Sequence, residues 1–131
     1  MAVPDFQTIM LPLLKLAADG KEHSFSEAID ALAQYFKLNE NDRKELLPSG
    51  KQRKFDNRVS WARTYLQKAL LLSSTGRSKF CITERGIKTL QENLFSINVK
   101  YLEHFPEFVT FHSISEKMAK HLKTIKHHKK L

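Results

Sequence analysis

The sequence predicts a mainly α-helical fold with one small β-hairpin, arranged as a winged helix-turn-helix. Three observations predict it. Apolar residues recur at helical spacing in four separate segments. Between the third and fourth lie two short runs, Leu70 to Ser73 and Lys79 to Ile82, joined by the small polar stretch Ser74-Thr75-Gly76-Arg77-Ser78, which reads as a hairpin. Residues 51–88 carry ten Lys or Arg against two Asp or Glu, a surplus of eight that equals the net charge of the whole chain.

The elements follow in order. In DFQTIMLPLLKLAA, Phe6, Ile9, Met10, Leu13, Leu16 and Ala17 fall three and four residues apart, so a helix spans about residues 4–18. Pro12 removes a backbone donor inside it and should bend it, and Asp5 places a negative charge at its start. A second helix follows in HSFSEAIDALAQYFKL, where Ser24 and Glu27 have capping-box spacing and Ile29, Leu32, Ala33 and Phe36 form the stripe; His23 to Phe25 can add a very short strand before it. Residues 40–47 make a brief helical turn, stopped at Pro48-Ser49-Gly50. Phe55, Val59, Ala62, Leu66 and Ala69 define the core face of a third helix, and Thr83 caps a fourth in which Ile87, Leu90 and Leu94 point inward.

After Asn98, an aromatic segment offers Phe105, Phe108, Val109 and Phe111 for docking, and a faint stripe of Ile114, Met118, Leu122 and Ile125 runs through a Lys-rich end. At 131 residues and 41% hydrophobic content the chain can build one modest core. We expect one domain over residues 1–112 and a basic tail or linker over 113–131. That tail reads as a solvated linker, a membrane- or partner-binding helix, or a nonspecific nucleic-acid arm.

The single cysteine, Cys81, reads as a buried packing residue. MAVPDFQTIMLPLLKLAADG lacks a basic n-region and is broken by Pro12, which makes it neither a secretion signal nor a membrane span; the expectation is a cytoplasmic protein. Residues 1–50 carry five basic against eight acidic groups, so a basic block stands beside an acidic one, the charge pattern of a nucleic-acid surface. The simpler reading of that charge is a solvated face.

Opposite the core stripe, the third helix presents Asn57, Ser60, Trp61, Thr64, Gln67 and Lys68. Asn57, Ser60 and Thr64 have the hydrogen-bonding groups that read base edges in the major groove. Arg58 and Arg63 flank this face, either to neutralise phosphates or to pair with acids of the first two helices. Trp61 either stacks on DNA or packs on a neighbour, and packing is the commoner role of a Trp in a small domain. Lys51, Gln52, Arg53 and Lys54 precede the helix and can hold a phosphate with its first amides. At the hairpin tip, Arg77, Ser78 and Lys79 can straddle the phosphate backbone.

Three stretches carry a resemblance that covers about residues 1–112. VPDFQTIMLPLLKLAADGK, LLPSGKQRKFDNRVSWARTYLQKALLL and RSKFCITERG are similar to the N-terminal domain of the Mrr family of modification-dependent restriction endonucleases. The resemblance implies a domain that binds double-stranded DNA, with cleavage assigned to a separate PD-(D/E)xK nuclease domain on the C-terminal side, for which residues 113–131 are too short. It also implies recognition of a methylated base, whose methyl group Thr64 or Trp61 could meet. Two other readings of the same fold stand beside it. One is a stand-alone transcriptional regulator, dimeric on palindromes; the other is a protein-interaction winged helix whose basic face meets an acidic partner.

Catalytic chemistry finds little support. Pro4-Asp5 with Asp19-Gly20-Lys21 spells a bare PD…DxK string, but its two halves flank a helix instead of lying on adjacent strands. His23, His104, His112, His121, His127 and His128 lack ligand spacing, one cysteine makes no zinc signature, and four glycines form no phosphate loop. No catalytic residue, cofactor or metal is expected.

Overall fold

The computed structural model describes residues 3–129, with side chains through His121. Asp5 opens α1 (Phe6–Leu16), its carboxylate accepting the Thr8 amide at 2.8 Å and satisfying a donor that a helix start leaves free. Ile9, Met10, Leu11, Leu13 and Leu14 are all buried, so α1 is apolar over most of its circumference, with Pro12 inside it. A 3₁₀ turn at Ala17–Asp19 and left-handed Gly20 (φ 76°) lead into β1 (His23–Ser24). Ser24 then caps α2 (Phe25–Tyr35) by accepting the Glu27 amide. A short α3 (Glu40–Lys44) starts on a reciprocal capping box between Asn39 and Asp42. A Leu46–Arg53 bridge closes the following loop, and α4 (Lys54–Lys68) buries Phe55, Val59, Ala62 and Leu66 as their spacing predicts.

Beyond α4 the chain departs from the sequence expectation. Leu70 is left-handed (φ 62°); its amide reaches the Gln67 carbonyl at 3.0 Å and the Leu71 amide reaches the Leu66 carbonyl at 2.9 Å. These paired bonds make a Schellman stop, with leucine where glycine is usual. The strand expected from Leu70 therefore begins later, as β2 (Leu72–Gly76), which pairs antiparallel with β3 (Lys79–Ile82). A bulge between Ser74 and Gly76 lengthens β2, and left-handed Ser78 (φ 58°) closes the turn, so the expected five-residue tip shrinks to Arg77-Ser78. β1 pairs with the other edge of β3, through His23↔Phe80 and Ser24↔Lys79, giving a three-stranded antiparallel sheet in the order β1-β3-β2. Cys81, in β3, is half-buried where full burial was expected.

The Thr83 hydroxyl caps α5 (Glu84–Gln91) by accepting the Gly86 amide at 3.0 Å, and donates to the Leu70 carbonyl at 2.6 Å. Ile87 does not point inward: it is 42% exposed, and the buried positions are Gly86 and Thr89. The cause is close approach. A Cβ on Gly86 would meet the Leu71 carbonyl oxygen and lie 2.7 Å from the Ile82 side chain, so backbone contact sets how α5 is rotated.

After α6 (Val99–Leu102), whose first amide is held by Gln7, α7 (Pro106–Lys129) docks by its first turns. Phe108 is fully buried. Tyr65 of α4 sits among the rings of Phe6, Phe108 and Phe111, at centroid distances of 5.0, 5.4 and 5.8 Å. Arg85 of α5 clamps Glu107 by two bonds of 3.1 and 2.9 Å, donates to the Ala69 carbonyl and lies over Phe105. Val109, expected to dock, faces out, as do Ile114 and Met118; the side chains of Leu122 and Ile125 lie outside the described residues. Helices dominate, and helices followed by a hairpin and a further helix, with a small three-stranded antiparallel sheet, are compatible with the expected winged helix.

Candidate nucleic-acid interface

Because α4 turns its apolar stripe inward, its polar side lies toward the surface, with Trp61 and Lys68 its most exposed members. Ser60 and Thr64 are half-buried and their hydroxyls make no hydrogen bond among the described residues. Asn57, also half-buried, donates from its amide to the Gln52 Oε1 at 3.1 Å, so the loop before α4 presets its orientation. Trp61 is 49% exposed and meets Tyr65 edge-on at 6.0 Å. It therefore packs along one edge and presents the rest to solvent. Lys68 points toward α7, its ammonium 5.4 Å from the centre of the Phe111 ring.

Gln67, near the end of α4, opens on a cleft of ≈580 Å³ whose other walls include Ser73 and Ser74 of β2, the cap residue Thr83 and Glu84 of α5. Helix and wing thus share one opening. Nothing in the sequence marks Gln67, Ser73 and Ser74 as a shared site, because a Ser-Ser pair does not signal that a strand will bring it across from a helix end.

At the wing tip, Arg77 is exposed and its side chain has no ion pair or hydrogen bond among the described residues. Ser78 is exposed too, and its carbonyl accepts the Phe25 amide at 2.8 Å, tying the wing to the start of α2. Lys79 is exposed and stands 3.6 Å from Glu22. The Thr75 hydroxyl and the charge of Lys79 lower the pKa of the Glu22 carboxyl from its ordinary value. In the loop before α4, Lys51 is exposed with an unpartnered side chain, whereas Arg53 pairs with Asp56 at 2.7 Å and Lys54 with Glu45 at 3.0 Å.

The two arginines flanking the α4 face differ. Arg58 donates to the Val3 and Pro4 carbonyls at 2.8 and 3.2 Å, fastening the start of the chain to α4. Arg63 stacks on Phe25, and burial lowers its pKa from the ordinary guanidinium value. Neither pairs with an acid of α1 or α2 among the described residues. The basic surplus of residues 51–88 is thus partly neutralised by carboxylates from elsewhere in the chain, Glu22, Glu45 and Glu107, which composition alone does not reveal.

Among the described residues, no group of three or more His, Cys, Asp or Glu could hold a metal ion. Asp5 and Asp19 serve the helix cap and a hydrogen bond with His23 at 2.8 Å. No described helix is long and apolar enough to cross a membrane.

Residues 6–92 match the sequence model of a family described as the Mrr N-terminal domain. The chain is similar to the type IV methyl-directed restriction enzyme EcoKMrr of Escherichia coli (strain K12), with 31% identity over 87 residues, 66% of this chain and 28% of that enzyme. The chain thus spans well under a third of the length of this curated relative. No solved structure matches it.

Proposed function

The chain belongs to the family of Mrr N-terminal domains, and from that premise we propose that it is a DNA-binding, target-recognition module. In this reading α4 lies in the major groove of double-stranded DNA, with Asn57, Ser60 and Thr64 toward the base edges. Arg77, Ser78 and Lys79 of the wing hold one backbone strand, and Lys51 with the loop before α4 holds the other. The observation that carries this reading is the unpaired Arg77 at the tip of a hairpin whose first strand shares a cleft with Gln67 near the end of α4.

The relative's name describes a methyl-directed restriction enzyme, which makes methylated duplex the target class we assign. Half-exposed Trp61, with Thr64 three residues on, supplies the apolar surface that a methyl group in the major groove would meet. Residues 1–112 act as the recognition domain, with 113–131 as a basic extension. Cleavage belongs to a nuclease domain outside residues 1–131, and the module acts in the cytoplasm without activity of its own.

Fluorescence-anisotropy titration of methylated and unmethylated duplexes over a salt series tests this. For about four to six phosphate contacts the log–log slope should be near −4 to −5, and changing Arg77 and Lys79 together to Ala should reduce it by about one to two units. Trp61→Ala should lower the methylated-to-unmethylated affinity ratio. A chain that fails to bind duplex at low salt would sink the reading. The exposed Ile114 and Met118 on α7 favour a second reading, a dimeric stand-alone regulator; a monomeric mass by light scattering at high protein concentration would remove it.

A further inference from the structure

Arg63 is a cation whose surroundings call for an anion that the described residues do not supply. It leaves α4 on the side of α2, with its guanidinium carbon 4.2 Å from the centre of the Phe25 ring. Its Nε is buried without an acceptor, and no carboxylate pairs with the group among the described residues. A guanidinium taken partly out of water with no counter-charge is unfavourable. Held over a ring, it nevertheless keeps its other N–H groups in a forked array suited to a phosphate.

Phe25 is the first residue of α2, an eleven-residue helix, so the stacking places this cation beside the helix start. In that turn the Phe25 amide is taken by the Ser78 carbonyl at 2.8 Å and the Glu27 amide by the Ser24 hydroxyl at 3.2 Å. Ser26 lies between them, exposed, and its amide has no acceptor within the helix. Ser78 is the wing-turn residue next to Arg77.

We propose that Arg63, the first turn of α2 and the base of the wing form a niche for one phosphate of the DNA backbone. The guanidinium and the Ser26 amide donate to its non-bridging oxygens, while the Phe25 ring beneath it holds the guanidinium in place. This rests on the DNA-binding reading above. It adds a contact from the start of α2 to those of the wing, and it gives the uncompensated Arg63 charge a counter-ion.

Anisotropy titrations of one duplex over a NaCl series test it, comparing the native chain with Arg63→Gln, Arg63→Lys, Ser26→Glu and, as reference, Arg77→Ala. Thermal unfolding of each variant is measured alongside. Arg63→Gln should weaken binding roughly tenfold and reduce the log–log slope by about 0.9. The loss should be equal on methylated and unmethylated duplex, since a phosphate contact carries no base information. Arg63→Lys should keep the slope and lose part of the affinity, because the charge stays and the fork goes. Ser26→Glu puts a negative charge where a helix start favours one, so it should leave the melting temperature intact while weakening DNA binding. That variant keeps the proposal testable even if Arg63→Gln fails to fold. Native slope and affinity in Ser26→Glu, with a reduced slope in Arg77→Ala, would overturn the niche and leave the DNA-binding reading standing; absence of salt-dependent binding by the native chain would overturn both.

Discussion

α4 and α7 are both basic helices with an apolar stripe, and they use it differently. α4 buries Phe55, Val59, Ala62 and Leu66, whereas α7 buries Phe108, half-buries Phe111, and then sends Ile114 and Met118 into solvent at 57% and 55% exposure. A stripe records what a helix can bury. Whether it does so depends on how far the opposing surface extends, and for α7 the cluster around Tyr65 is reached in the first turns.

Mutations should reproduce that division. Phe108→Ala should have the largest effect, about 3–5 kcal/mol in denaturant unfolding, because it empties a fully buried ring site shared by α4 and α7. A loss below about 1 kcal/mol would mean that α7 is not part of the cooperative unit. Leu66→Ala, in the buried stripe of α4, should cost about 2–5 kcal/mol. Gly86→Ala should follow at about 1–3 kcal/mol from overpacking, since its Cβ meets the Leu71 carbonyl and the Ile82 side chain.

A smaller effect is expected where α7 is clamped. The hydrogen bonds from Arg85 hold the Glu107 carboxyl below its ordinary value of 4.5. A depressed folded-state pKa stabilises above that ordinary value and ceases to do so as pH falls through the folded one. The native chain should therefore exceed Glu107→Gln in melting temperature at neutral pH, and the gap should close as pH drops below 4.5. A gap that persists in acid would assign the difference to packing instead of charge. Met118→Ala should be smallest of all, within about 0.5 kcal/mol. A larger loss would show the stripe of α7 covered in solution, and the contrast with α4 would disappear.

Much of the architecture was legible because it rests on short-range rules. Ser24 and Thr83 each accept an amide three residues on, which a hydroxyl before an apolar run foretells, and Asp5, expected only as a charge at the start of α1, does the same. The stripe of α4 was equally readable from its period. Leu70 was not, since nothing in its type marks a left-handed helix stop, and the wing came out one bulge longer and three residues tighter at its tip than expected. Hydrophobicity alone points Ile87 inward, yet the approach of α5 to the Leu71 carbonyl outweighs that preference.

The candidate interface divides in the same way. Local spacing placed Asn57, Ser60 and Thr64 on one side of α4, and Arg77 at the tip of a hairpin, before any fold was known. Arg58 and Arg63 looked alike in the sequence, five residues apart on the flanks of one face. In the folded chain Arg58 is held by the Val3 and Pro4 carbonyls, while Arg63 lies over Phe25 with its Nε orphaned. Caps and helical periods arise among residues within about four positions of each other, so they are written along the chain. The partners of Arg58, Arg63, Lys79 and Arg85 are chosen by whichever carbonyl, ring or carboxylate the packed elements bring alongside, and those come from positions tens of residues away.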